Sequence, residues 1–75
     1  MQKKLPRDLS SQDVIKALSK VGFQVIRQRG SHIGLQNRRT GQFLTVPNHP
    51  YISLGTLRKI IRQAGLEREE FLKLL

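Results

Sequence analysis

Apolar residues recur at helical spacing early in the chain. They lie on one side of a helix, as in the buried stripe of an amphipathic helix, and comprise Val14, Ile15, Leu18 and Val21. Ser10 precedes this stripe and Asp13 follows three positions later, which is the spacing of a capping box. Gly22 can adopt the left-handed conformation that ends a helix. The pattern therefore predicts a first helix between Ser10 and Gly22.

The pattern then changes to the shorter period of β-strands. The predicted strands are residues 23–29, residues 32–36 and residues 42–46. Gly30-Ser31 supplies a tight turn between the first two strands, and the polar segment 37–41 supplies a hairpin loop between the second and the third. Three consecutive strands joined by such short turns predict an antiparallel sheet.

Alternation in the second strand predicts where its side chains point. Ile33 and Leu35 fall on one face of the strand, and His32 and Gly34 fall on the other. If the apolar pair packs beneath the helices, His32 faces away from the core.

Alternation in the first strand is less regular. It places Phe23 and Val25 on the same face as Arg27 and Arg29, and the intervening residues on the opposite face. The sequence therefore leaves open which side of this strand is buried along its whole length. Both Phe23 and Phe43, which lies in the third strand, are assigned to the core.

A second helical stripe follows Pro47, which ends the third strand. Its apolar members are Leu57, Ile60, Ile61 and Ala64, and Ser53 is a candidate cap. This helix presents a basic ridge to solvent, made of Arg58, Lys59 and Arg62. Residues 67–75 begin with acidic residues and carry an apolar edge, which favours a short third helix.

The predicted fold class is α+β, in the order α-β-β-β-α. It has a three-stranded antiparallel sheet with helices on one face and a short C-terminal helix. A chain of 75 residues forms one domain and buries about 60% of its unfolded surface, so a functional site is expected at the surface. No cysteine is present, and no apolar run approaches a signal peptide or the roughly 20 residues of a membrane span. We expect a soluble cytoplasmic protein with no membrane partner.

The charge is unevenly distributed along the chain. Fourteen Lys and Arg against five Asp and Glu give a net charge of +9, and all five acids lie near the two ends. The interval from Val14 to Leu66 has no carboxylate, but it carries Lys16, Lys20, Arg27, Arg29, Arg38, Arg39, Arg58, Lys59 and Arg62. Solvated surface charge alone would be as well served by mixed signs. A polyanionic partner is therefore predicted, with nucleic acid the first candidate, an acidic protein the second and an anionic membrane a distant third.

His32 is the candidate catalytic residue. Histidine has an ordinary pKa of about 6.5, which suits it to general acid–base catalysis near neutrality. Nucleases that use two metal ions need several converging carboxylates, and the interior of this chain has none, so neither a metal nor another cofactor is expected. RNA can be cut without metal when its own 2′-hydroxyl attacks the phosphorus. Arg27, Arg29, Arg38 or Arg39 would stabilise the charged phosphate, and Ser31 is either a further hydrogen-bond donor or simply a turn residue.

Five short motifs follow one another along the chain. They are Gly-Phe at residues 22–23, Arg-Gln-Arg-Gly-Ser-His at 27–32, Thr-Val-Pro at 45–47, Gly-Thr-Leu-Arg-Lys-Ile at 55–60 and Gln-Ala-Gly at 63–65. In this order and spacing, residues 10–66 resemble the HicA family, the small toxins of HicA-HicB toxin-antitoxin pairs. The chain is therefore divided into a flexible leader without periodicity (1–9), a HicA-like domain to which the resemblance is confined (10–66) and a C-terminal helical extension (67–75).

The resemblance implies both an activity and a fold. HicA toxins are endoribonucleases that cut mRNA, their fold is similar to the double-stranded-RNA-binding domain, and His32 matches the family's catalytic histidine. A HicB-like antitoxin would be the protein partner. The chain departs from the family pattern in having Ile33, Gly34 and Leu35 where members often have a second histidine and an aromatic residue.

Two other classes of function fit the same residues. A non-catalytic RNA-binding module would use the basic residues Arg27, Arg29, Arg38, Arg39, Arg58, Lys59 and Arg62 only for phosphate contacts. An interaction domain would use its basic face mainly to receive an acidic protein. His49, beside two prolines, is expected to be structural.

Overall fold

The computed structural model describes residues 4–75 and contains six elements. They are α1 (Ser11–Ser19), β1 (Phe23–Arg29), β2 (His32–Asn37), β3 (Phe43–Pro47), α2 (Leu54–Gln63) and α3 (Arg68–Leu72). The strands form one antiparallel sheet in the order β1-β2-β3. The predicted α+β class and element order are thus confirmed. Residues 1–3 of the predicted leader lie outside the described residues, and the division into leader, domain and extension stays a prediction.

The first helix begins at the predicted capping box. The Ser10 hydroxyl accepts a hydrogen bond from the Asp13 backbone N–H at 3.1 Å, and the Asp13 carboxylate accepts one from the Ser10 backbone N–H at 3.0 Å. The Ser10 backbone N–H, and secondarily its hydroxyl, hold the pKa of Asp13 below its ordinary value. The cap therefore weakens only when the pH falls through this lowered pKa.

The core lies between the helices and one face of the sheet. Its fully or nearly fully buried apolar residues are Val14, Ala17, Leu18, Phe23, Ile33, Leu35, Leu44, Val46, Ile52, Leu57, Ile60, Ile61 and Phe71. Ile33 and Leu35 are buried and His32 is exposed, as the alternation of β2 predicted. The opposite side of the sheet, which carries His32, Gly34 and Thr45, is called the open face below.

One extra residue interrupts β1. Val25 pairs with Leu35, but Arg27 pairs with Gly34, so Ile26 has no partner and forms a β-bulge. Directly paired residues share a face of an antiparallel sheet. The bulge therefore places Arg27 and Arg29, which follow it, on the opposite face from the one that strict alternation gives. The strict alternation, which placed Arg27 and Arg29 on the face of Phe23, was wrong.

Phe43 was also wrongly assigned to the core. It opens β3, pairs with Gln36 and keeps 43% of its surface exposed. Leu44 and Val46 fill the core from β3, so their odd-numbered neighbours must lie on the open face. The buried aromatic residues are instead Phe23 and Phe71.

Asn37 joins the end of α1 to the loop between β2 and β3. Only 6% of this polar residue is exposed. Its amide nitrogen donates to the Val21 carbonyl at 3.2 Å, and its amide oxygen accepts from the backbone N–H of Arg39 at 2.8 Å and of Thr40 at 3.2 Å. One buried amide therefore satisfies three backbone groups that neither helix nor sheet would pair.

Replacing Asn37 by alanine should lower the free energy of unfolding by about 1–3 kcal/mol, because it leaves buried backbone groups without partners. Urea denaturation followed by circular dichroism measures this change. Gln36→Ala is the matched control, because Gln36 is exposed, and it should change the free energy by no more than about 0.5 kcal/mol. Equal effects of the two substitutions would contradict the bridging role of Asn37.

Candidate active site

His32 begins β2 and projects from the open face. In the sheet its backbone pairs with Arg29 on one side and with Pro47 on the other. The next residue, Ile33, is 3% exposed and anchors the strand in the core, which fixes the opposite direction for His32. The imidazole is therefore presented to solvent by a rigid element and not by a loop.

Two shallow cavities meet at His32. The first is about 110 Å³ in volume, lies on the open face and is lined by Arg27, Arg29, His32, Gly34, Phe43 and Thr45. The second is about 390 Å³ in volume and lies between β3 and α2, where Lys59 and Gln63 contribute to its wall. His32, Phe43 and Thr45 line both cavities. An extended ligand could therefore lie across His32 and occupy both.

Three cations share these cavities with His32. Arg29 is its direct cross-strand partner, Arg27 lies two residues before Arg29 on the same face, and Lys59 approaches from α2. The bulge at Ile26 gives both arginines this position. If Ile26 were instead paired with Gly34, Arg27 would pair with Ile33 and would point toward the helices. The arrangement surrounds an imidazole with positive charge, which attracts an anion such as a phosphate.

Carboxylates are placed elsewhere. Among residues 4–75, neither cavity at His32 has an Asp or Glu in its wall, and no three His, Asp or Glu side chains come together as a metal site. Asp8 and Asp13 instead line a groove beside α1, and the glutamates lie at the start of α3.

No helix among residues 4–75 is both long and apolar enough to cross a membrane.

A family model described as the HicA toxin of bacterial toxin-antitoxin matches residues 11–66, about three quarters of the chain. The match runs from the start of α1 to just beyond α2 and includes every residue that lines the two cavities at His32. The chain belongs to the HicA toxin family. No curated protein matches it.

Two predicted phosphate contacts lie far from His32 in this HicA-family fold. Arg38 and Arg39 follow the opposite end of β2, about 20 Å away at roughly 3.3 Å per residue. Arg38 is held there, because its Nε donates to the Gln24 side-chain oxygen at 2.7 Å. These two arginines therefore cannot contact the same phosphate as His32.

The basic ridge of α2 is divided between two surfaces. Lys59 faces the cavity at His32, whereas Arg58 lines a separate cavity of about 260 Å³ with Lys4, Arg7 and Arg68. Arg62 is exposed, follows Arg58 by one helical turn and lines neither cavity at His32. Of the three, only Lys59 is close to the candidate active site.

Ser31 and His49 lie near the end of β3. Ser31 is exposed in the turn before His32, and its backbone carbonyl accepts a hydrogen bond from Asn48 N–H at 2.7 Å. The His49 carbonyl accepts from the Ser11 backbone N–H at 3.1 Å at the start of α1, while its side chain is exposed. These backbone contacts connect the segment after β3 to both the turn before His32 and the first helix.

Phe43 is the site residue that sequence reasoning missed. The signal was present in β3, where Leu44 and Val46 form the apolar pair and leave Phe43 in phase with Thr45. Its apolar character suggested burial, but its phase indicated the open face.

Proposed function

We propose that this HicA toxin family member is a metal-independent endoribonuclease that cleaves mRNA, with His32 as general acid or base. The observation that carries the proposal is the exposed imidazole on the open face, with Arg27, Arg29 and Lys59 around it and no carboxylate in the walls of its cavities among residues 4–75. This set of groups suits proton transfer at a phosphodiester and does not suit two-metal catalysis.

The reaction uses the 2′-hydroxyl of the RNA as its nucleophile. The 2′-oxygen bonds to phosphorus as the bond from phosphorus to the 5′-oxygen breaks, which leaves a 2′,3′-cyclic phosphate and a 5′-hydroxyl. His32 either accepts the proton of the 2′-hydroxyl or donates one to the departing 5′-oxygen, and solvent water takes up or supplies the other proton. Arg27, Arg29 and Lys59 stabilise the negative charge that accumulates on the phosphoryl oxygens. The Ser31 hydroxyl lies next to His32 in the chain and would donate a hydrogen bond to the same phosphate.

The remaining basic residues fit contacts along the RNA backbone. Arg38, Arg39, Arg58 and Arg62 lie away from His32, so they would bind other phosphates of the same strand. Such contacts raise affinity without selecting a sequence and make binding sensitive to salt.

The partner implied by the family is an antitoxin, and we propose a HicB-like protein that covers His32. An exposed site on a sheet face can be masked directly by another protein. An mRNA substrate and such a partner would both require the protein to act in the cytoplasm.

Cleavage assays in EDTA test the proposed activity. RNA should be cut and yield 2′,3′-cyclic phosphate ends, whereas DNA and 2′-O-methyl RNA of the same sequence should remain intact because they lack the nucleophile. Intact RNA together with salt-sensitive binding would contradict the enzyme and favour a non-catalytic RNA-binding module. Loss of RNA binding at every salt concentration would favour a domain that receives an acidic protein.

The bulge at Ile26 gives a separate prediction. Deleting Ile26 should leave cleavage unchanged within assay error, because Val25 still pairs with Leu35, and Arg27 still pairs with Gly34. Deleting Gln28 is the matched control, since it moves Arg27 opposite Ile33 and turns it toward the helices. This deletion should slow cleavage roughly 10- to 100-fold, as for the loss of a hydrogen bond to a charged group. Equal losses in single-turnover rate would contradict the face assigned to Arg27.

A further inference from the structure

Phe43 is exposed in an unusual setting. The open face presents its ring over Gly34, which lies two residues after His32 in β2, and both His32 and Phe43 line the cavity of about 110 Å³. With 43% of its surface accessible, the ring contributes little to the core, and burial therefore does not explain an aromatic residue at this position.

The ring is held in place by its neighbours. A Cβ atom at Gly34 would lie 3.1 Å from Cζ of Phe43 and 3.3 Å from Cγ of Arg27, so both side chains lie across the space that Gly34 leaves free. The guanidinium carbon of Arg27 is 5.5 Å from the centroid of the ring, within the range of a cation–π contact. The stacking platform, defined here as Phe43 and Arg27, thus consists of two planar groups that pack together over Gly34.

We propose that the stacking platform binds one unpaired base of the RNA, so that the substrate is single-stranded at the cleavage site. The inference rests on the proposed function for the phosphate at His32. A base offers a flat π-face that stacks on an aromatic ring or a guanidinium plane. A base bound there brings its own phosphate into the cavity that the platform shares with Arg29 and His32.

Duplex RNA does not fit this platform. Its bases are stacked on one another and present only their edges in the grooves, so their faces are not available to Phe43. Binding by the open face therefore selects loops, unpaired ends or extended strands. Stacking is tolerant of base identity, and the platform alone imposes little sequence preference.

Binding of a 2′-O-methyl RNA strand tests the platform without cleavage, because this strand lacks the attacking hydroxyl. Phe43→Ala should weaken binding roughly 5- to 150-fold, which corresponds to the loss of one base stacked on an aromatic ring. Phe43→Leu, which keeps apolar volume without a ring, should lose as much, whereas Phe43→Tyr should retain affinity within about twofold. Tyr51→Ala is the matched control, because Tyr51 is an exposed aromatic residue outside both cavities and should bind like the wild type.

Two further measurements separate stacking from other roles. A strand with an abasic site at the stacked position should bind the wild type as weakly as the intact strand binds Phe43→Ala. Combining the abasic strand with Phe43→Ala should lower the affinity no further than either change alone, because both remove the same contact. Duplex RNA should bind all the variants equally. Circular dichroism and thermal unfolding establish that each variant is folded.

Several outcomes would overturn the proposal. Wild-type affinity of Phe43→Ala for the single strand would do so, as would an equal loss for duplex RNA. Loss of binding to a co-expressed acidic protein, with RNA binding intact, would show that the ring serves a protein partner. These outcomes are independent of catalysis: if His32→Ala still cut RNA, the proposed function would fail while the stacking result stood on its own.

Discussion

We expect His32→Ala to lower the single-turnover rate of RNA cleavage by at least about 100-fold, the lower end of what general acid–base catalysis contributes. The affinity for uncleavable RNA should change little, because Arg27, Arg29 and Lys59 remain around the cavity and supply the attraction for phosphate. His32→Gln should have the same effect, since an amide preserves hydrogen bonding but cannot transfer a proton near neutrality. Rate and affinity are measured on the same RNA, by gel and by fluorescence anisotropy.

The chain contains its own control for this substitution. His49 is the second histidine and has an exposed side chain, but its structural contacts come from the backbone, which alanine retains. His49→Ala should therefore cleave at the wild-type rate. Exogenous imidazole should partly restore cleavage to His32→Ala, because it supplies the missing acid or base without restoring any packing. A His32→Ala protein that cuts at the wild-type rate would refute the assignment of His32.

Local signals predicted the elements well because they depend on neighbouring residues alone. The Ser10 and Asp13 capping box, the positive φ angle of 105° at Gly22 and the outward direction of His32 all follow from spacing within a few residues. Each of these features is determined within one helix turn or one strand.

The misassignments arose where a strand meets its partner. A bulge depends on the pairing of β1 with β2, and residues 23–29 considered alone gave no reason to leave Ile26 unpaired. The contact of Phe43 with Arg27 likewise joins two strands across Gly34. Asn37 was overlooked because its bonding partners are backbone groups whose arrangement no sequence pattern shows. The candidate histidine was thus predictable from sequence, but the composition of its cavities was not.

The short helix α3 lies outside the family match and yet completes the core. Phe71 is fully buried, and the partly buried Leu66 and Leu74 pack against the same cluster. The Nζ of Lys20 donates to the Leu74 carbonyl at 2.7 Å, which ties this segment to the end of α1. Residues 67–75 therefore act in the structure as part of the domain's packing.

Phe71→Ala should lower the free energy of unfolding by about 3–5 kcal/mol, the usual cost of emptying a buried aromatic site. At about 0.05–0.15 kcal/mol per residue, the whole chain has a free energy of unfolding of only roughly 4–11 kcal/mol. The substitution therefore removes a large share of the stability, and removal of residues 67–75 should leave the chain unfolded. Leu75→Ala is the matched control, because Leu75 is 49% exposed and its loss should cost no more than about 0.5 kcal/mol.

Urea denaturation measures both variants, and activity distinguishes packing from catalysis. Phe71 lines neither cavity at His32, so Phe71→Ala should cleave RNA at the wild-type rate at temperatures where it is still folded and should lose activity only as it unfolds. An unchanged denaturation midpoint would show that α3 contributes no packing energy and is a separate extension. If Phe71→Ala were folded but cleaved RNA slowly, α3 would instead influence the candidate active site, through α2, the element against which α3 packs.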